Sequence, residues 1–436
     1  MSFLSPLGYS SESCGYCKDA STGRRSPKSH SGASYYVSSK GLTVGVYQGL
    51  VDRGWRRSGT ILYKPDVLRH CCPHYTIRLP VESFAPARDH RQAVNRWNRY
   101  VLGDEYLKEV AKLYPKSKED KKRQKNGFDL VTTVHESEYP NLKRPPEPAH
   151  RFEVTLEPDD FTPEKFALFK DYQKNVHHEA ESEISAKGFK RFLCGSPLKR
   201  ETPDVDGKTL HLGSYHQCYR LDGRLIAMSV LDLLPHCVSG VYFIYHSDFE
   251  KWSFGKLSAM REAALALEAG YKFYYMGFYI HSCVKMRYKG EYKPSYILDP
   301  ETYNWDPLDG ELRELFDAKP YVSLSRERRL GAAPPSAEVD EYIHPSAKEA
   351  GEAVENGLSL FDLKMPGLMT AEEVEEYPLD QQAIQVGKIP YPLTAEVLTS
   401  WETGDIRQPA TIKGIIAELV ACIGPDVAKE TAVSFG

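Results

Sequence analysis

Four cysteines in two tight pairs are the residues of this chain whose types and spacing best suit metal chemistry. Cys14 and Cys17 form a C-x-x-C, and Cys71 and Cys72 are adjacent. Two close pairs of thiolates are the ligand set of a four-sulfur metal site, and the softness of sulfur as a ligand restricts what is bound to zinc or an iron–sulfur cluster. A C-x-x-C also occurs in redox dithiols, so reactive or simply buried thiols are the alternative. Four thiolates leave no open ligand position, which predicts a structural or redox-responsive site rather than a catalytic one.

Basic and aromatic stretches accompany the cysteine pairs. They are Asp52–Gly59, Pro73–Arg78, Arg96–Tyr100, Leu221–Ala227 and Lys289–Pro294. Together with the cysteines, these stretches resemble the arginyl-tRNA–protein transferases of the fungal type, over roughly residues 10–320. The resemblance implies transfer of arginine from arginyl-tRNA to the α-amino group of an N-terminal Asp, Glu or oxidised Cys. It further implies that the acceptor is thereby marked for ubiquitin-dependent degradation in the N-degron pathway.

The implied reaction is an acyl transfer from an ester that is already activated. Holding the two reactants together supplies much of the barrier reduction, about 7–11 kcal/mol at best. The attacking α-amine has a pKa of about 7.7–8.0, so a modest base or a water chain suffices to make it neutral. We therefore expect no Ser-His-Asp triad, and no G-x-S-x-G motif occurs in the sequence.

Charge is distributed unevenly along the chain, whose net charge is −4. Residues 1–150 carry 25 Lys and Arg against 15 Asp and Glu, whereas residues 331–436 carry 6 against 18. A basic first half suits a polyanionic partner such as RNA. The acidic tail favours solubility, and docking over the basic face is the alternative.

Length and composition are those of a globular protein. The 436 residues suffice for two or three domains, and the hydrophobic content of 41% is ordinary. We expect neither a membrane span nor a signal peptide, because no apolar run is long enough and the start lacks a charged-then-apolar segment. We therefore expect a cytoplasmic or nuclear location, where thiols stay reduced.

The second half shows a regular alternation of strand and helix patterns. The patterns predict a strand over 152–156, a helix over 162–178 and a hairpin over 215–232 that turns at Asp222-Gly223. They then predict a strand over 240–245, a helix over 253–269 ended by Gly270, and a last strand over 272–277. This order is the core of the acetyltransferase-like (GNAT) fold, which the resemblance also implies. The predicted fold class is therefore α/β (α+β), with the GNAT-like domain over residues 150–325.

The two ends of the chain give weaker patterns. Residues 1–145 are predicted to form a cysteine-rich, basic, metal-binding domain, whose first 34 residues are too rich in Ser and Gly to become ordered without the metal. Short strands are predicted at 35–37, 42–47, 60–63 and 75–79, and helices at 87–100 and 105–114. Residues 330–436 are predicted to be an acidic extension, partly helical, with a helix over Ile412–Ile423, or disordered.

The transferred arginine needs a carboxylate that can accept its guanidinium fork. Asp232, at a strand end, and Asp248, in the loop before a helix, are the candidates. Their alternative roles are a strand cap and a turn residue. Tyr242 and Tyr245 are placed to contact the ester or a terminal base, although tyrosines in a strand are commonly half-buried sheet residues.

An acidic acceptor needs a cationic pocket. Arg56 and Arg57 are candidates because a guanidinium binds a carboxylate through two hydrogen bonds. A solvated basic turn is the alternative for both. His74 and Tyr75 follow the second cysteine pair and are assigned either to the same pocket or to packing around the metal.

The tRNA needs dispersed cations and aromatic side chains on which unpaired bases stack. Candidates are Ser253, Gly255 and Lys256 at a helix start, then Arg287, Lys289, Tyr292 and Lys293, and finally Arg96 and Arg99 beside a Trp97 assigned to the core. Ser253 and Gly255 also read as a plain helix cap and a loop glycine. The loop has one glycine where acyl-CoA enzymes of this fold have two, which argues against CoA.

Two other functions are compatible with parts of the sequence. One is a small-molecule N-acyltransferase of the GNAT fold, which the missing pyrophosphate loop disfavours. The other is a non-catalytic zinc-ribbon adaptor that binds RNA, which would leave the acyltransferase-like half without a task. The sequence therefore favours the aminoacyl transferase.

Overall fold

The computed structural model describes residues 1–17, 30–119, 127–205, 207–332, 344–387, 389 and 391–435, which form a mixed α/β protein with two large sheets. The strands are β1 Ser2–Glu12, β2 Gly32–Gly41, β3 Arg56–Ser58, β4 Ile61–Pro65, β5 Tyr75–Pro80, β6 Phe152–Pro158, β7 Asp204–Val205, β8 Lys208–Thr209, β9 Gly213–Leu221, β10 Arg224–Leu234, β11 Cys237–Tyr245, β12 Phe273–Tyr279, β13 Tyr296–Leu298, β14 Trp305–Pro307, β15 Ala383–Val386, β16 Leu393–Thr394 and β17 Thr431–Phe435.

The helices are α1 Val44–Val51, α2 Arg88–Leu102, α3 Asp104–Leu113, α4 Leu130–His135, α5 Pro163–Asn175, α6 Ala186–Phe189, α7 Phe254–Ala269, α8 Val284–Arg287, α9 Gly310–Ala318, α10 Leu324–Ala332, α11 Ala347–Glu355, α12 Leu360–Leu363, α13 Ala371–Glu376, α14 Ile412–Ile423 and α15 Pro425–Lys429. Within the described residues, no helix combines the length and the apolar composition that a bilayer crossing requires.

The first sheet is built from both ends of the chain. Its strand order is β16-β15-β17-β1-β2-β4-β3, with β1 antiparallel to β2 and parallel to β17. The Ser- and Gly-rich start contains β1, and β17 supplies its backbone hydrogen-bond partners from the far end of the chain, in the register Ser2 to Thr431. The expected dependence of this segment on the metal stays a prediction. Residues 18–29 of that segment lie outside the described part. The acidic extension is thus in part a structural component of this sheet.

One face of the first sheet packs on the core and the other is left open. Tyr35, Val37 and Leu62 are fully buried on the core side, near α1 and α14. The strand predicted over 42–47 is wrong: α1 begins at Val44 with the Thr43 hydroxyl as its N-cap. Three β-branched valines in α1 are tolerated because burial of its apolar residues outweighs their weak helix propensity. The predicted helix over Ile412–Ile423 is confirmed as α14.

The second sheet contains the predicted acetyltransferase-like core. Its order is β14-β13-β5-β12-β11-β10-β9-β6. The hairpin of β9 and β10 is confirmed, and Asp222 and Gly223 have φ of 51° and 83°, as a type I′ turn requires. Helix α7 ends at Gly270 with φ of 83°, as predicted. Strand β5 joins this sheet from the first half of the chain, so the boundary expected near residue 145 does not separate the two sheets.

The parallel strands β11 and β12 pair over only a short length. Their register runs from Cys237 with Phe273 to Ser239 with Tyr275. The pairing ends there, although both strands continue. Gly240 follows Ser239 directly on β11, and Gly277 lies two residues beyond Tyr275 on β12; a side chain at Gly277 would meet the carbonyl oxygen of Gly240 at 3.8 Å. The strands therefore splay apart at these glycines, where the resemblance to the GNAT fold implies that an acyl carrier enters.

Candidate functional site

The structure brings the four predicted metal ligands together. The sulfur atoms of Cys14, Cys17, Cys71 and Cys72 all lie within 4.8 Å of one another. Cys17 Sγ lies 3.2 Å from Cys71 Sγ and 3.4 Å from Cys72 Sγ. Hydrogen bonds from Cys14 and then Cys72 lower the pKa of the Cys71 thiol. All nine cysteines of the chain are free thiols, so this cluster is available to a metal.

The cysteine cluster packs on the segment that leaves β12. Cys14 and Cys72 are buried against Ile280, with Cys283 and Met286 beside them. These last residues belong to the turn and the short helix α8 that lead to Lys289. A metal bound to the four thiolates would therefore fix the position of this segment.

A large cleft lies between the cysteine cluster and the open face of the first sheet. Its volume is about 870 Å³. Tyr36 and Tyr63 line it from β2 and β4, and His70 and His74 line it from the second cysteine loop. The volume falls within the usual range for small-molecule sites, about 300–1,000 Å³.

The opposite wall of the cleft is the helical segment 185–194. Arg191 and Phe192 line the cleft from a π-helical turn over Lys190–Cys194. This turn approaches the first sheet closely at Gly59, where φ is +62° and a side chain would overlap the carbonyl oxygen of Arg191. A glycine at this position therefore allows the wall to close.

Aromatic contacts connect the cleft with the splayed strands. The ring of Phe278, on β12, lies 5.1 Å from His74 and 6.2 Å from Tyr63. Phe192 lies 5.0 Å from Tyr242, on the part of β11 that lies beyond its pairing with β12. The cleft is therefore bounded on both sides by residues that touch the splay. His74 lines the cleft, and burial lowers the pKa of its imidazole well below the usual value, so it is neutral there.

Two cations stand at the splay. Lys289 Nζ lies 3.7 Å from the position that a Cβ atom would occupy at Gly277, and it donates to Phe278 O at 2.9 Å. The guanidinium of Arg56 lies over the Phe278 ring at 5.1 Å and donates to Trp55 O at 2.6 Å. Burial, and then the charge of Arg56, lowers the pKa of Lys289 to about 7. Both side chains therefore lie beside the splayed strands. Lys289 was predicted to contact tRNA at an exposed surface, and the structure does not place it there.

A buried carboxyl group lies behind the splay. Glu262 on α7 accepts hydrogen bonds from Ser229 Oγ at 2.6 Å and from the Tyr274 phenol. Its Oε2 lies 3.5 Å from the position that a Cβ atom would occupy at Gly240. Burial raises the pKa of Glu262 to about 7, although the two hydrogen bonds act in the opposite direction. No sequence motif marks this residue, because its surroundings come from three separate elements.

Arg57 and Asp232, which were predicted to bind the substrates, instead bind each other. Arg57 Nε donates to Asp232 Oδ2 at 2.7 Å, and Arg57 Nη2 donates to Oδ1 at 2.6 Å. Their side chains are 1% and 0% exposed. The structure therefore contradicts the assignment of Asp232 to the substrate guanidinium and of Arg57 to an acidic acceptor. The pair joins β3 of the first sheet to β10 of the second.

Other predicted site residues are placed elsewhere. Tyr75 is buried, and its hydroxyl accepts from Val322 N at 2.7 Å, so it does not line the cleft. Tyr292 is 1% exposed and stacks on His90 at 4.2 Å, which excludes it as a platform for RNA bases. Asp248 is an exposed turn residue paired with Arg224 at 2.9 Å. Tyr245 packs on Tyr172 at 5.3 Å.

The remaining cations predicted to contact tRNA lie at the surface. Arg96 and Arg99 project from α2, with Arg96 5.8 Å from the ring of Trp252. Lys256, in the first turn of α7, pairs with Asp89 at 2.6 Å. Ser253 has φ of 58° and no side-chain cap bond, and Gly255 faces open space. Arg287 and Lys293 are exposed, whereas Trp97 is 3% exposed and lies in the core.

Both halves of the chain match known protein families. Residues 12–92 match the family described as "Arginine-tRNA-protein transferase, N terminus", and residues 164–299 match "Arginine-tRNA-protein transferase, C terminus". The first match contains all four clustered cysteines. The second contains β9 to β12, α7 and Lys289.

Several known proteins are similar to this chain in sequence. Arginyl-tRNA–protein transferase 2 of Arabidopsis thaliana is 27% identical, and the alignment covers 80% of this chain and 82% of that protein. Arginyl-tRNA–protein transferase 1 of Saccharomyces cerevisiae is 33% identical over 58% of this chain and 48% of that protein. An aspartate/glutamate leucyltransferase of Pseudomonas fluorescens is 26% identical over 60% of this chain and 83% of that protein.

Proposed function

Because this chain belongs to the arginyl-tRNA–protein transferase family, we propose that it transfers arginine from arginyl-tRNA to the α-amino group of an acceptor protein. The observation that carries this proposal is the cleft of about 870 Å³ that opens beside the splay of β11 and β12. One cleft can receive both the esterified end of a tRNA and a peptide terminus, and their juxtaposition is what this reaction chiefly needs.

The transfer exchanges one acyl bond for another. The neutral acceptor amine attacks the ester carbonyl of arginine, the new C–N bond forms, and the C–O bond to the terminal ribose breaks. The amine loses a proton and the ribose oxygen gains one, so no other reactant is consumed. We assign the proton transfer to Lys289, which stands at the splay with a pKa of about 7, close to the value an acid–base group needs at neutral pH.

The acceptor is proposed to begin with Asp, Glu or oxidised Cys. The printed name of the Pseudomonas relative includes aspartate and glutamate, and Arg191 supplies a cation on the cleft wall. A guanidinium and a carboxylate form a strong, charge-assisted pair. Acceptors marked in this way would enter the N-degron pathway and be degraded through ubiquitin. Free thiols throughout the chain support a cytoplasmic or nuclear location.

The four cysteines are proposed to hold a metal that stabilises the site without taking part in the reaction. Sulfur ligands at about 2.3 Å from one zinc ion lie about 3.8 Å apart in a tetrahedron. In this structure two of the sulfur–sulfur distances are 3.2 Å and 3.4 Å, and the others are at most 4.8 Å, so the distances lie on both sides of 3.8 Å. An iron–sulfur cluster bonds its thiolates to different irons and would need the sulfurs to move apart. The spacing therefore favours a single zinc ion, which would leave the pure protein colourless, whereas a cluster would absorb visible light.

The tRNA is proposed to lie along α2 and the start of α7. Arg96 and Arg99 project from α2, and Lys251 lies over the Trp252 ring at 5.4 Å. Cations interleaved with aromatic rings suit a nucleic-acid backbone with unpaired bases. No CoA is proposed, since the segment 251–256 at the start of α7 has the single glycine noted above.

One assay separates this function from an N-acyltransferase and from an RNA-binding adaptor. The full chain is incubated with tRNA carrying labelled arginine and with peptides beginning with Asp, Glu or Lys. We expect label on the first residue of the Asp and Glu peptides and none on the Lys peptide. Acetyl transfer from acetyl-CoA, or tRNA binding without any transfer, would contradict the proposal.

A further inference from the structure

A carboxylate that the sequence did not single out lies on the wall of the cleft. It belongs to Glu12, the last residue of β1, two residues before the first cysteine of the cluster. Ser34 Oγ donates to Glu12 Oε1 at 3.2 Å. The Tyr36 phenol lies near this carboxylate, and burial followed by the interaction with Glu12 raises the pKa of Tyr36. Ser34, on β2, therefore holds the Glu12 carboxylate in place.

The other carboxylates near the splay are already engaged or point elsewhere. Asp232 is fully buried in its pair with Arg57. Glu262 is 3% exposed and lies behind Gly240. Asp248 is at the surface, beside Arg224. Among the described residues that line the cleft, Glu12 is the one carboxylate.

We propose that Glu12 binds the guanidinium of the arginine carried by the tRNA and so selects arginine over uncharged amino acids, an inference that rests on the proposed function. An ionised carboxylate offers about four lone-pair directions, and Ser34 occupies one of them. The others are free to accept a bidentate pair from a guanidinium. The fixed orientation of the carboxylate reduces the entropy lost on binding.

The arrangement of charge in the cleft agrees with this assignment. Glu12 lies on the first-sheet side, whereas Arg191 lines the wall formed by the segment 185–194. A cationic donor side chain and an anionic acceptor side chain would therefore each meet an opposite charge. The rings of Tyr16 and Tyr63 line the cleft as well, and they can pack on the planar guanidinium or on the terminal adenine.

The test compares donors rather than measuring activity alone. Glu12→Gln, Glu12→Asp and wild type are assayed with the same tRNA charged with arginine or with leucine. We expect Glu12→Gln to lower kcat/KM for arginyl transfer about 10- to 100-fold, the usual effect of losing a hydrogen bond to a charged group. Leucyl transfer should stay unchanged or rise. Glu12→Asp should recover most of the preference for arginine. Glu314→Gln, the same change at an exposed position on α9, should behave as wild type.

A binding measurement keeps the proposal testable if transfer by the variant is lost altogether. L-Argininamide should compete with arginyl-tRNA for the wild type, and it should compete at least ten times less well for Glu12→Gln, about the loss of one such bond. L-Leucinamide should not distinguish the two. Thermal unfolding and metal content verify that the variant is folded.

The outcomes separate the two proposals. A folded Glu12→Gln protein with the wild-type ratio of arginyl to leucyl transfer would overturn the role of Glu12. The same holds if transfer is lost and argininamide competes equally well for both proteins. A wild type that transfers no amino acid from tRNA would instead overturn the proposed function itself.

Discussion

The buried ion pair between Arg57 and Asp232 joins the two sheets, and Asp232→Asn measures its contribution. Arg57 donates to both carboxylate oxygens, and Ser214 Oγ donates to Oδ1 at 2.6 Å. The two charged side chains are 1% and 0% exposed. Asn at position 232 would leave the Arg57 guanidinium buried without a counter-charge.

Removing one partner of a buried ion pair costs about 3–5 kcal/mol. Globular proteins are stable by about 5–15 kcal/mol, so this is a large fraction of the free energy of unfolding. With an unfolding entropy of about 2.1 cal/mol/K per residue, a chain of 436 residues loses about 1 °C of Tm per kcal/mol, so Tm should fall by roughly 3–6 °C. Differential scanning fluorimetry and circular dichroism measure the change. The double variant Arg57→Met, Asp232→Leu removes both charges and should be less destabilised than Asp232→Asn alone.

The refuting result is specific. If Asp232→Asn melted within about a degree of wild type yet lost arginyl transfer, Asp232 would contact the substrate, and the structural role of the pair would be wrong. Asp248→Asn is the control, because Asp248 is 59% exposed in its pair with Arg224. Surface changes of this kind shift stability by about 0.5 kcal/mol or less.

Four further changes test other parts of the site. Cys71→Ser should lower metal content, measured by mass spectrometry, together with Tm, and unchanged metal content would contradict the ligand assignment. Glu262→Gln tests a carboxyl group whose pKa is about 7 in the folded protein and 4.5 as its usual value. Because the unfolded chain ionises first, wild-type stability should fall by on the order of 3 kcal/mol between pH 4.5 and pH 7, and the variant should not show this fall. Lys289→Arg should slow transfer on the order of 100-fold and remove the rise in rate near pH 7, whereas an unchanged pH profile would exclude Lys289 as the base. Arg96→Ala should weaken tRNA binding and reduce its salt slope by about 1, whereas Lys348→Ala on α11 should change neither.

Much of the second sheet could be predicted because its signals are local. The Asp222-Gly223 turn and the Gly270 cap each depend on a few neighbouring residues. The cysteine cluster could be predicted as well, because each half of it is a close pair along the chain. The first sheet could not, since β1 pairs with β17 and their residues Ser2 and Thr431 stand at opposite ends of the sequence.

The candidate site was harder to predict for the same reason. Arg57 and Asp232 carry the right groups for substrate binding, but they are 175 positions apart and satisfy each other. Glu12 and Arg191 belong to no recognisable sequence motif, and they line the same cleft only in the folded protein. A carboxylate two residues before Cys14 was the available signal for Glu12.

The central claim is that the cleft beside the splayed strands holds the aminoacyl end of the tRNA. A structure of the protein with 3′-arginylamido-3′-deoxyadenosine, a stable analogue of that end, tests it most directly. The account predicts the amide between the splayed strands near Gly240 and Gly277, with the guanidinium on Glu12. An analogue bound outside the cleft, or one whose guanidinium meets another carboxylate, would contradict it.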